Sequence, residues 1–113
     1  MKQNKLLSLI GIAMKAGKLV SGEFSTETAI KSGKAYLVII TGDASKNTVK
    51  KFTNSCAFYN VPILTISTKE ELGAAIGKQQ RSSMAVLDEG FANAIMKKMD
   101  EIGGNLNGEY KNI

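Results

Sequence analysis

The sequence predicts a single α/β domain with a central sheet between layers of helices. Three observations carry that reading. Segments with helical spacing of apolar residues alternate with short apolar runs of strand length from about residue 4 to residue 102. Gly17, Gly22, Gly33 and Gly77 stand where one segment gives way to the next. The chain has 113 residues, 43% of them hydrophobic, which is enough for one packed core and short for two. The expected domain is residues 1–103, followed by a flexible Gly/Asn-rich tail over 104–113.

Each element has its own signal. Leu6, Leu9, Ile10, Ala13 and Met14 share a helix face, so residues 4–16 form a first helix closed by Gly17. Lys18 to Ser21 is a short strand ended by Gly22, and Glu23 to Ser32 a second helix stopped by Gly33, where a left-handed residue is needed. Tyr36-Leu37-Val38-Ile39-Ile40 is a continuous apolar run, as expected of a strand covered on both faces. Thr41-Gly42-Asp43 turns the chain into a third helix, Ser45 to Tyr59, with Val49, Phe52, Cys56 and Tyr59 on its apolar stripe. Asn60-Val61-Pro62 breaks that helix before a strand at Ile63 to Ile66. Thr68 with Glu71 forms a capping box for a fourth helix ending at Gly77. A polar loop, Lys78 to Ser82, leads to a strand over Ser83 to Leu87, and Phe91, Ile95, Met99 and Ile102 mark a fifth helix. Helical crossovers favour parallel pairs in such an order, and a mixed sheet is allowed.

Composition narrows the function. Among 113 residues there is no histidine and one cysteine, so the usual zinc ligand sets and Ser–His or Cys–His nucleophile pairs cannot be built. Neither a dinucleotide fingerprint nor a phosphate loop is present, and no metal or cofactor is expected. A lone cysteine forms no internal disulfide, which suits a reducing, cytoplasmic setting. Lys2 and Lys5 before the apolar stretch Leu6 to Met14 resemble a weak secretion signal. Lys15 and Lys18 follow at once without a small-residue cleavage site, and a folded helix is the expectation. No apolar run approaches the roughly 20 residues that span a bilayer.

The net charge of +5 is uneven: residues 1–51 hold nine lysines against three carboxylates, and residues 52–113 six cations against seven. Such a one-sided excess is what a polyanionic partner would select, although many soluble domains are mildly basic. Asp43 reads as a turn and helix-cap residue rather than a metal ligand, and Asp88-Glu89 as the acidic start of the fifth helix. Cys56, on an apolar stripe, reads as a structural thiol, and Met84, Met96 and Met99 as packing.

Several segments together resemble a known family. Lys18-Leu19-Val20-Ser21-Gly22-Glu23 precedes a helix ending Ala29-Ile30-Lys31-Ser32-Gly33-Lys34-Ala35. Leu37 to Ser45, Tyr59-Asn60-Val61-Pro62 and Leu72-Gly73-Ala74-Ala75-Ile76-Gly77 follow in order. This set, over about residues 4–102, resembles the kink-turn-binding ribosomal proteins of the L-seven-Ae and L-thirty-e types. Gly90-Phe91-Ala92-Asn93 also has a counterpart in the bacterial YlxQ-like branch. The resemblance implies a three-layer α/β/α sandwich with a four-stranded mixed sheet, and RNA binding without catalysis; the expected protein is a monomer that is ribosome-associated or binds structured, kink-turn-like RNA.

It also implies a site. In the family two loops form the RNA surface, and here they are Ser21 to Lys31 and Gly77 to Ser83. The residues carried over are Lys18, Ser21, Gly22, Glu23, Phe24, Ser25, Thr28, Lys31 and Lys34 around the first loop. Lys78, Gln79, Gln80, Arg81 and Ser82 come from the second. The first loop departs from the family's Gly-x-Asn-Glu-x-x-Lys pattern. Gly22 matches, but Phe24 stands at the asparagine, Ser25 at the glutamate and Thr28 at the lysine. Phe24 has two readings, a staple packed on the core or an exposed ring that stacks on an unpaired base. The rival function is a protein-interaction module on the same fold, which would need an exposed apolar patch around Phe24.

Overall fold

The computed structural model describes residues 2–103. Nine elements follow in the expected order: α1 (Lys2–Lys15), β1 (Leu19–Ser21), α2 (Glu23–Lys31), β2 (Leu37–Ile40), α3 (Lys46–Tyr59), β3 (Ile63–Thr65), α4 (Lys69–Ala75), β4 (Ser83–Val86) and α5 (Glu89–Gly103). The tail expected to be flexible, 104–113, lies outside the described residues.

The sheet order is β1-β4-β2-β3. β2 and β3 pair in parallel, while β4 runs antiparallel to both β1 and β2. The sheet is therefore mixed: three strands point one way, and the last one in sequence is inserted between the first two. The central strands β2 and β4 are buried at every position, whereas the edge strands β1 and β3 are only partly so. A continuous apolar run is what full coverage of both faces requires.

Side chains alternate across the sheet and feed two cores. Leu37, Ile39, Met84 and Val86 pack with Leu6, Ile10, Ala13, Leu72, Ile95 and Met99, on the side of α1, α4 and α5. Val38, Ile40 and Ala85 pack with Ala29, Ile30, Phe52 and Cys56, on the side of α2 and α3. The three layers are thus α1/α4/α5, sheet, and α2/α3.

Three expectations need correction. Tyr36 lies before β2 and is partly exposed, so the buried run is one residue shorter than the apolar string. On α3 only Phe52 and Cys56 are buried. Val49 and Tyr59, at the margins of the stripe, face solvent because the sheet and α2 cover a sector too narrow to include them. Asp43 does cap a helix, but a different one. Its Oδ1 accepts from Lys69 N at 2.9 Å, at the start of α4, while Ser45 caps α3 by accepting from Thr48 N at 3.1 Å. Half of the expected capping box of α4 forms, with Glu71 N donating to Thr68 Oγ1 at 3.2 Å. The Glu71 carboxylate accepts from the Ser67 hydroxyl.

Candidate nucleic-acid interface

The parallel strands β1, β2 and β3 all end where β4 begins, so four loops gather at one end of the sheet. The two loops singled out from the sequence are joined directly there. Gly22 N donates to Ser83 O at 2.9 Å, and Arg81 Nε donates to Ser21 Oγ at 3.2 Å. Arg81 also closes its own loop, with Nη1 donating to Gln80 O at 3.0 Å. Behind it, Arg81 N donates to Lys69 O at 3.2 Å and Thr41 N to Ser82 O at 3.1 Å. Arg81 is therefore first a clamp between the loops, and only its outer guanidinium edge is left to meet a ligand.

The start of α2 has no side-chain cap and carries the Glu23 carboxylate in its first turn. Gly22 is its N-cap at φ 100° and ψ 157°, a backbone region that essentially only glycine occupies. The first N–H groups of a helix have no partner within it, so an uncapped start presents donors and the positive end of the helix dipole outward. Phe24, in the first turn, is 81% exposed. This excludes the staple reading and leaves the ring free on the surface. Ser25 is half-buried, and Thr28 is exposed one turn beyond Phe24 on the same side.

The second loop rests on Gly73. A Cβ there would lie 2.1 Å from Gln79 O and 2.7 Å from Gln79 C, so only a glycine in α4 lets the loop pack down. Lys78, Gln79, Gln80 and Arg81 form a shallow groove with Glu70 and Ala74 of α4.

The structure divides the residues carried over from the sequence into two groups. Ser21, Gly22, Glu23, Phe24, Ser25, Lys78, Gln79, Gln80, Arg81 and Ser82 cluster at the loop end, with Thr28 about a turn away. Lys18, Lys31 and Lys34 do not join them. Lys18 lies at the far end of β1, where its carbonyl accepts from Leu87 N, Lys31 is in the last turn of α2, and Lys34 lies beyond it. An α2 of nine residues separates the two groups by about 13 Å.

Lys31 is also ion-paired. Its Nζ lies 3.0 Å from Glu27 Oε2, and Lys51 on α3 lies 2.9 Å from both Glu23 and Glu27. Hydrogen bonds donated by Lys51 and then Lys31 hold the Glu27 carboxyl below its ordinary range, and those that Lys51 donates to Glu23 and Glu27 raise its own. This network ties α2 to α3 and pairs the Glu23 and Glu27 carboxylates of α2, while Glu70 remains in the groove of the second loop. Burial pushes the Cys56 thiol up to about 12, which makes it a packing residue rather than a nucleophile.

Sequence reasoning missed three hydroxyls at the same end. Thr26, Thr41 and Ser83 are buried and their oxygens have no hydrogen-bond partner. The signal was present for Thr26, which shares a helix face with Ala29 and Ile30. Among the described residues no cluster of His, Cys, Asp and Glu could hold a metal ion.

The architecture is a three-layer α/β/α sandwich with two loops joined at one end of a mixed four-stranded sheet. The chain belongs to the ribosomal protein L7Ae/L30e/S12e/Gadd45 family, which it matches over residues 4–96. It is 44% identical over 92 residues to the RNA-binding protein YlxQ of Bacillus subtilis (strain 168), covering 81% of this chain and 92% of that one. To the RNA-binding protein YlxQ of Enterococcus faecium it is 40% identical over 90 residues, covering 80% and 86%. A solved structure of a protein of unknown function from Bacillus halodurans C superposes with a TM-score of 0.82 at 36% identity, covering 85% of this chain and 97% of that one. The 15.5kD RNA binding protein of Giardia lamblia shares the fold, with a TM-score of 0.75 at 22% identity over 91% and 88% of the two chains.

Proposed function

We propose that this protein is a non-enzymatic, cytoplasmic RNA-binding protein that grips structured RNA at the loop end of its sheet. The observation that carries the reading is the junction of the two loops by Gly22–Ser83 and Arg81–Ser21, beside an uncapped helix start. Backbone N–H groups there suit phosphate oxygens, and the exposed Phe24 ring suits an unpaired base. Lys78 and the outer edge of Arg81 supply positive charge. The relatives named as RNA-binding proteins support the same reading.

The finer proposal is a kink-turn-like RNA in a ribosomal or other ribonucleoprotein setting, bound by a monomer. Ser25 and Thr28 replace a carboxylate that could take two bonds from a guanine edge and a lysine that could reach a phosphate, so the grip on a standard kink-turn is weakened. Phe24 would supply part of what those side chains do not. A protein partner is the second reading, because a Phe ring 81% exposed is also what a docking patch requires.

Titration of a kink-turn hairpin at several salt concentrations separates the two. Contact with about four phosphates gives a log–log slope of about −3. Affinity independent of salt would refute the phosphate contacts, and no binding at low salt would reject this RNA and favour the protein partner.

A further inference from the structure

The outer side of α3 carries features that the loop site does not use. Lys46, Lys50, Asn54 and Phe58 recur every four residues and are all exposed, so they form one ridge along the helix. Phe58 is 78% exposed and packs edge-on against Tyr59, itself 40% exposed, with ring centroids 4.8 Å apart. The pair closes α3 just before Asn60, whose left-handed φ of 59° turns the chain into β3.

The topology fixes where this ridge runs. Thr41 N bonds to Ser82 O, so the start of α3 stands beside the loop site. Val38 N bonds to Pro62 O, so the Phe58–Tyr59 pair stands at the opposite end of the sheet. A helix of 14 residues places the two about 20 Å apart. Tyr36, half-exposed before β2, and Lys34 lie toward that same far end.

The charged residues of α3 are all lysines. From Thr28 to Lys69 the sequence holds six lysines and one carboxylate, Asp43. Asp43 is held at the start of α4 by its bond from Lys69 N. Lys51 turns toward α2, where Glu23 and Glu27 neutralise it, and so leaves the ridge to Lys46 and Lys50. Aromatic rings among lysines and asparagines do not make the continuous apolar area that a stable protein interface needs. They match the combination that holds single-stranded nucleic acid, in which cations follow the phosphates and rings stack on bases.

We propose that the ridge of Lys46, Lys50, Asn54 and the Phe58–Tyr59 pair is a second RNA contact, which holds a single-stranded segment flanking the structured RNA. The inference rests on RNA binding by the loop end, and its test is built to separate the two. Three probes are compared by fluorescence anisotropy with the full chain: a blunt kink-turn hairpin, the same hairpin with uridine extensions at either end, and a 15-nucleotide oligouridine. The extension should tighten binding about tenfold, the order of one aromatic–base stack. Phe58→Ala and Lys50→Glu should each remove most of that gain and leave the blunt hairpin unaffected. The sequence contains no tryptophan, so Phe58→Trp places a sole indole on the ridge, and its emission should be quenched by the extended hairpin and not by the blunt one. Equal affinity for both hairpins, a gain that survives Phe58→Ala, or an unquenched indole would overturn the second contact and point to a protein partner for the rings. Binding of oligouridine that depends on Phe58, without binding of the blunt hairpin, would keep the ridge and reject the loop site.

Discussion

The two ends of the sheet present positive charge in different ways. At the end where β1, β2 and β3 finish, fixed backbone donors at the uncapped start of α2, bridged to the next loop by Gly22 N to Ser83 O, stand beside the side-chain charge of Lys78 and Arg81. Arg81 serves that junction as a structural tie before it can serve a ligand. At the other end charge comes from side chains, Lys18, Lys31 and Lys34, with Lys31 drawn back by Glu27. Fixed donors can recognise a shape, because their positions are set by the fold. Flexible lysines attract any polyanion and discriminate little. The loop end is therefore where selectivity should reside.

The largest expected effect comes from completing the loop end. Phe24→Asn, Ser25→Glu and Thr28→Lys together should raise affinity for a kink-turn by about 30-fold or more, if two restored base contacts contribute on the order of 1–3 kcal/mol each. The same RNA with its sheared G·A pairs replaced by Watson–Crick pairs should gain far less. That control matters because the added lysine alone would help any RNA. No preferential gain in a binding titration would mean that the exposed Phe24 ring already does this work, or that the loop reads RNA in another way.

A smaller loss should follow from disturbing the second loop without touching its side chains. Gly73→Ala places a Cβ 2.1 Å from Gln79 O, so the loop must lift from α4. Affinity should fall about tenfold, and overpacking should cost about 1–3 kcal/mol of stability by denaturant unfolding. Unchanged binding in the folded variant would show that the 78–82 loop is not part of the grip.

The mildest comparison sets two glycines against each other. Gly22 at φ 100° and Gly33 at φ 76° both adopt backbone that side chains disfavour, and neither has a neighbour within 4 Å of an added Cβ. Gly22→Ala and Gly33→Ala should each destabilise the fold by about 1–2 kcal/mol. Only Gly22→Ala should also weaken RNA binding, by a few-fold, because it reorients the start of α2. Equal effects on binding would erase the distinction between the ends.

Much of this was legible in the sequence, for identifiable reasons. Helix faces and strand runs follow from spacing, and the stops at Gly17, Gly33 and Gly77 follow from the left-handed backbone each adopts. Partners across the fold were not legible. Spacing says which face of α3 is apolar but not how wide a sector its neighbours cover, so Val49 and Tyr59 read as buried and are not. A turn aspartate reads as a cap, but nothing local says that Asp43 serves α4 rather than α3. The candidate site divided along the same line. Residues adjacent in sequence, such as Ser21 to Ser25, stayed together. Lys31, only six residues beyond Ser25, was carried to the far end by the length of α2.

Backbone amide shifts during titration with a blunt kink-turn hairpin test the assignment of the loop end most directly. Resonances of residues 21–28 and 77–83 should move first and furthest, while those on the outer faces of α1 and α5 stay in place. Shifts centred on α1 and α5, or on Lys18 and Lys34 without the loops, would contradict it.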